Sequence, residues 1–237
     1  MVTRTRQIEF PVRAISFRPD LDSLPSSASR LRLAACGLAL LLFIVPGCKP
    51  EATQILLGPS QALTAVLAEE AASFAGTKKQ IALITHDASW GPPSTVEQAL
   101  VHLLKKQGHT VAIVKTANIG NPMLSGAVGL KAADFFEALE KSAGSGALIS
   151  LVGAPLLTPD DTARLTLGHP PVLVVATAQV GDKMGVRGDP LQLARLLESQ
   201  AIQLAIIDGG PAANGSAKTN SKRELFDHNY RILRRPQ

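Results

Sequence analysis

The chain of 237 residues is 46% hydrophobic, holds two cysteines and carries a formal net charge of +5. That is too apolar for a disordered chain, too poor in cysteine for a disulfide-stapled scaffold, and short enough for one large domain or two small ones. The charge is uneven: residues 1–47 hold six Arg against three acids, the last twenty hold six Lys and Arg, and residues 48–217 carry 12 basic and 14 acidic side chains. A nucleic-acid surface needs a basic stripe that this central part lacks, so no nucleic-acid partner is expected.

Near the amino end, Arg30 and Arg32 precede an uncharged apolar run over 33–46 that ends at Gly47-Cys48-Lys49. A bilayer-spanning helix needs about 20 apolar residues, so the shorter run suits the core of an export signal. Val45-Pro46-Gly47-Cys48 resembles the lipobox of bacterial lipoproteins, with Pro46 departing from the commonest pattern. Leu33-Ala-Ala-Cys36 matches the short motif better, yet no apolar core precedes it. The resemblance implies a signal peptide over 1–47, diacylglycerol and acyl chains such as palmitate on Cys48, and a membrane partner reached through that anchor. The expected location is the cell envelope on its periplasmic side, and the outer membrane where one exists, since Lys49 and not Asp follows the cysteine. An uncleaved anchor helix and a plain secretory signal are the alternatives. With Cys36 removed and Cys48 acylated no free thiol is left, which excludes disulfides and thiolate metal sites.

Residues 48–60 read as a tether and 61–210 as an α/β domain. A helix is expected over Gln61–Ala75, and from residue 80 strand-like and helix-like runs alternate. Strands are predicted at 81–85, 111–114, 147–152, 172–176 and 201–207. Helices are predicted from the Ser94 cap to Gln107, over Ala132–Ser142, after Thr158-Pro159, and after Asp189-Pro190. Nearly continuous apolar strands mean burial on both faces. The fold class is therefore α/β: a doubly wound, mostly parallel five-stranded sheet with helices on both faces. Residues 209–222 have linker composition, so 211–237 is expected to be a flexible linker and C-terminal tail, with 225–233 able to dock as a strand or a helix.

The strings Lys79-Gln-Ile-Ala-Leu-Ile-Thr-His-Asp-Ala-Ser-Trp-Gly91, Gln107-Gly-His-Thr-Val-Ala-Ile113, Gly146-Ala-Leu-Ile-Ser-Leu-Val-Gly153 and Pro170-Pro-Val-Leu-Val-Val175 resemble one lobe of the type I periplasmic binding proteins. That resemblance, over about 79–210, implies a Rossmann-like lobe and a small polar ligand such as a sugar or an amino acid. Members close two lobes over the ligand, whereas here a polar linker follows the fifth strand. A complete clamp within one chain is not expected: the resemblance implies a dimer or a degenerate descendant, with a homodimer or an envelope-protein partner as the expected assembly.

In doubly wound sheets ligands bind beyond the carboxyl ends of the strands. That rule selects His86, Asp87, Ser89 and Trp90 after the first strand, Thr116 and Asn118 after the second, Gly153 and Ala154 after the third, Thr177 and Gln179 after the fourth, and Asp208 after the fifth. Trp90, the only tryptophan, offers a stacking ring beside the polar Asp87 and Ser89. The structural alternative is that Trp90 covers the sheet end and Asp87 ties the loop. No glycine-rich phosphate cradle and no nucleophile elbow is present, and the five histidines lack metal-ligand spacing, so no metal and no cofactor is expected. The leading expectation is a non-catalytic, membrane-tethered binding or interaction module. The others are an enzyme acting on an envelope carbohydrate or phosphate ester, with His86 and Asp87 as its acid/base pair, and a purely structural lipoprotein.

Overall fold

In the computed structural model residues 51–120, 128–165, 168–209 and 221–235 are described, with side chains from residue 58 onward except that of Trp90. The expected signal segment and Cys48 lie outside them.

The first element is α1 (Glu51–Ala75). It begins ten residues before the expected helix, so most of the stretch read as a tether, 48–60, is helical and passes through Pro59. Beyond that proline, Ala62, Leu63, Val66, Leu67, Ala68, Ala71 and Ala75 form a buried stripe at the three- and four-residue spacing of one helix face. Full burial of each leucine stabilises the fold by roughly 1.5–3 kcal/mol.

Six strands form the central sheet: β1 (Gln80–His86), β2 (Thr110–Ala117), β4 (Ala147–Ser150), β6 (Val172–Ala176), β9 (Leu204–Asp208) and β10 (Tyr230–Arg234), in the order β10-β9-β6-β4-β1-β2. All neighbours are parallel except β10, which runs antiparallel to β9, Tyr230 opposite Asp208 and Arg234 opposite Leu204. Two short pairs stand apart, β3 (Leu130–Lys131) with β5 (Pro155–Leu156), and β7 (Gln179–Val180) with β8 (Lys183–Met184). The α/β, doubly wound and mostly parallel architecture is thus present. Its sheet has one strand more than expected, because part of the tail supplies β10.

Side chains alternate across the sheet as period-two geometry requires. Ile81 and Leu83 of β1 face α1, the helix α2 (Thr95–Lys106) and the helix α6 (Lys222–Asn229). Ala82 and Ile84 face α3 (Ala132–Lys141) and α5 (Pro190–Glu198). A short α4 (Pro159–Ala163) lies between β5 and β6. The caps sit where the side chains place them: Ser94, Thr158, Asp189 and Ser221 accept from backbone N–H groups of α2, α4, α5 and α6, and Thr158 with Asp161 completes a capping box.

The tail corrects the expected boundary at 210. Ser221 caps α6, whose Phe226 is 1% exposed within the core that α1 shares, and β10 completes the sheet. Most of the composition-read linker, 210–220, lies outside the described residues.

Candidate functional site

Strand order determines where a ligand crevice forms. From β1 the chain crosses one way to β2, while from β4 it crosses the other way to β6, so the direction of winding changes between β1 and β4. Here the crevice is partly covered. Gly153, just past β4, has φ of +90°, and a Cβ there would meet Val186 Cβ at 2.8 Å, so a bare glycine lets the segment after β8 lie directly over this strand end.

The open space lies one strand further out, over the carboxyl ends of β1 and β2. It is a cavity of about 450 Å³, within the range of small-molecule pockets. Apolar walls come from Ala88, Pro92, Pro93 and Ile113, and polar groups from Thr85, His86, Ser94, Glu97, Thr116 and Lys183. Ile113 belongs to the outer strand and is 54% exposed.

Three ionisable groups dominate this space. His86 ends β1 and is half-buried; burial holds its imidazole below the ordinary value, the Lys183 ammonium adds to that, and Asp87 opposes it. Glu97 stands in the first turn of α2 and is 6% exposed. Burial pushes its carboxyl up against the opposing Ser94 backbone and Lys183 charge. Lys183 comes from a distant part of the sequence, on the hairpin β7–β8. Near neutral pH the imidazole is therefore held neutral and the carboxylate is costly, while the Lys183 ammonium reaches the same space from the hairpin.

The hairpin is built by a two-residue turn at Gly181-Asp182, with Gly181 at φ +71°. Val180 is fully buried in the core. At the tip, Asp182 Oδ1 accepts from the Thr95 backbone N–H at 2.7 Å. Burial pushes the Asp182 carboxyl up, but the Thr95 groups, its own backbone N–H and Lys183 outweigh that and hold it below its ordinary value. The amino end of α2 is thus already occupied by a carboxylate of the same chain. It is not an open anion site.

The expected site residues do not all converge. His86 lines the cavity. Asp87 and Ser89 serve each other: Asp87 Oδ1 accepts from the Ser89 backbone N–H at 3.0 Å and from the Ser89 hydroxyl, which caps the 3-10 turn Ala88–Trp90. The Asp87 N–H donates to Ala117 O at 3.2 Å. This is the loop-tying role, and the same Asp87 carboxylate also favours the charged form of the neighbouring His86 imidazole. The stacking expected of Trp90 concerns a side chain outside the described set. Asn118 Oδ1 accepts from the Gly120 N–H at 3.0 Å and closes a local turn.

Asp208 is the clearest departure from expectation. Two strands, β4 and β6, separate β9 from β1, which places the two strand ends roughly 14 Å apart at the usual strand spacing. Its Oδ2 accepts from the Ala178 N–H at 3.0 Å and from Arg187 Nε at 2.9 Å, the residues on either side of the hairpin. Asp208 therefore holds the hairpin's feet together.

Glu97 and Lys183 are the residues that sequence reasoning missed. For Glu97 the available signal was the Ser94-x-x-Glu97 spacing of a capping box. For Lys183 it was Gly181-Asp182 between Val180 and Lys183, a hairpin turn too short to show periodicity. Among the described residues no group of His, Cys, Asp or Glu could hold a metal ion. No helix among the described residues is long and apolar enough to cross a membrane. No protein-family model matches the chain, and neither a curated protein nor a solved structure is significantly similar to it.

Proposed function

We propose that this chain is a cell-envelope lipoprotein, anchored through Cys48, whose α/β domain binds a small polar molecule without transforming it. The observation that carries the binding reading is the cavity of about 450 Å³ at the carboxyl ends of β1 and β2, where proline and isoleucine walls meet a neutral imidazole, a buried carboxyl and a lysine. Apolar walls with a few converging polar groups are the usual make-up of a small-molecule pocket. The resemblance to one lobe of a periplasmic binding protein supports the same reading, and the lipobox-like Val45-Pro46-Gly47-Cys48 supports the compartment. Glu97, His86 and Lys183 take over the recognition role first assigned to Asp87, Ser89 and Asp208.

The test is a thermal-shift screen of the full chain against neutral sugars, amino acids and nucleosides. A ligand at 100 times its dissociation constant stabilises the fold by roughly 2.7 kcal/mol. The expected result is a hit whose shift is lost in Lys183→Met and in Glu97→Ala while both variants stay folded by circular dichroism. A hit unaffected by either variant places the site elsewhere, and a screen without hits favours a purely structural lipoprotein.

A further inference from the structure

The two edges of the sheet differ. β2 carries a register shift opposite Leu83 and Ile84, whereas β10 keeps an unbroken register from Tyr230 to Arg234, and among the described residues no strand pairs with its outer side. The Gly209 N–H donates to Asn229 O at 2.6 Å, which makes Asn229 and Gly209 a hydrogen-bonded pair. Alternation along an antiparallel ladder then turns the backbone groups of Arg231 and Leu233 toward β9 and those of Ile232 and Arg234 outward. The Tyr230 N–H donates to Phe226 O at the end of α6, so Tyr230 offers the edge only its carbonyl. A straight edge with outward N–H and C=O groups is a template for one more strand.

The side chains restrict what that strand can carry. Residues 221–235 hold Lys222, Arg223, Arg231, Arg234 and Arg235 against Glu224 and Asp227, five minus two, a net charge of +3. Arg234 is matched by Glu70 at 2.6 Å and Arg223 by Asp227 at 3.3 Å. Arg231 and Arg235 are exposed and make no ion pair among the described residues. They flank Leu233 at two-residue spacing, the spacing of one face of a strand. Two copies joined edge to edge would set +3 against +3, so charge disfavours a second copy, and a polysaccharide or a lipid headgroup has no peptide backbone to continue the ladder. A cavity of about 530 Å³ adjoins the end of the strand, where Arg234 and Arg235 meet Phe74, Leu197 and Ile202. It offers space for a side chain of a strand that runs on past Arg234. We propose that β10 is a docking edge for an extended acidic peptide of another protein, added as a seventh strand with carboxylates opposite Arg231 and Arg235 and an apolar side chain opposite Leu233.

Fluorescence anisotropy of the full chain with a labelled peptide, Thr-Glu-Thr-Val-Thr-Glu-Thr, tests this independently of the small-molecule cavity. The peptide with Gln in place of both Glu should bind several-fold more weakly, the effect of two surface ion pairs. The peptide N-methylated at the two threonines beside its valine should bind at least about tenfold more weakly, because two backbone hydrogen bonds of the ladder are gone. Arg231→Glu should abolish the preference for Glu over Gln. Ile232→Pro should weaken the parent peptide at least about tenfold and leave the fold intact by circular dichroism, since the outward N–H makes no bond to β9 and proline is tolerated at such edge positions. Should that variant fail to fold, the N-methylated peptide decides alone. Equal binding of the parent and N-methylated peptides would mean a charged surface that holds any anionic polymer, and would overturn the proposal. The absence of saturable binding of the parent would also overturn it, as would an Arg231→Glu variant that keeps the preference or a folded Ile232→Pro variant that binds as the wild type does.

Discussion

Glu97 shows the tension between function and stability in a single side chain. A carboxyl that is 6% exposed and raised above its ordinary value by burial binds its proton more tightly in the folded protein than in the unfolded chain. Stability therefore falls as pH rises through the window that begins near the unfolded value of 4.5 and ends at the folded one. Glu97→Gln keeps a residue suited to the capping box and removes the charge. It should raise stability at pH 7 by about 1 kcal/mol, or roughly 2–4 °C in a protein of this size. The gain should shrink as pH is lowered toward about 4, where the wild-type carboxyl is protonated. Melting curves of the two proteins across that range check this, and a gain independent of pH would mean that the carboxyl is not buried as described. His86 acts in the opposite sense. Its lowered value makes the folded protein lose stability as pH falls below the ordinary 6.5, so His86→Gln should flatten the acid side of the same curve.

At the scale of elements, the tail separates what composition says from what packing does. Tyr230–Arg234 turns the half-buried Tyr230 and Ile232 to one face of the sheet and Leu233 to the other, but the linker-like composition before it hid its membership of the sheet. The other five strands were legible because each is a short apolar run bounded by turn residues, and the caps at Ser94, Thr158 and Asp189 were legible because a side-chain oxygen is a local signal. Pairs of two residues such as β7–β8 carry no periodicity, so the element that brings Lys183 to the cavity left only its Gly-Asp turn in the sequence. The site was accordingly half legible. The topological rule pointed to the carboxyl edge and to His86, which lines the cavity there, while the long-range contacts of Asp208 and Asp182 had no sequence signature.

Phe226 tests the docking of the tail. It packs against Tyr230 with ring centroids 5.4 Å apart, within the core shared with α1, so Phe226→Ala should cost about 3–5 kcal/mol. Denaturant unfolding measures this, and a cost below about 1 kcal/mol would show a tail that contributes little to the domain. Proteolysis is expected first within 210–220 on grounds of composition, and the nicked 221–235 piece should stay bound through the fold.

For the whole molecule the proposed anchor yields the plainest prediction. Labelled fatty acid should enter the wild-type chain and not Cys48→Ala, and membrane fractionation should follow the label. Equal labelling of both would remove the lipoprotein assignment. The sheet edges also bear on self-association. The outer strand β2 has a register shift opposite Leu83 and Ile84, and its Lys115 reaches Asp134 at 2.7 Å and Glu137 at 2.5 Å on α3. The Lys115 and Lys141 ammonium groups hold Glu137 down to about 2. A bulge and a charge on an edge strand both discourage pairing with another copy, so a dimer formed to complete a clamp would have to use another surface.

The early start of α1 bears on how the domain stands on a membrane. The helix ends beside the amino ends of the strands, where a Cβ on Gly146 would meet Ala75, and it leads directly into β1. At 1.5 Å per residue its 25 residues span roughly 37 Å, while the seven residues of β1 span about 23 Å. The helix is thus longer than the strand it leads into, and near its start it lies against α6, where a Cβ on Gly58 would meet Leu225 at 3.2 Å. The proposed acyl chain on Cys48 would be three residues in sequence from Glu51, the first residue of the helix. A domain anchored in that way would have little slack between its first helix and the bilayer surface.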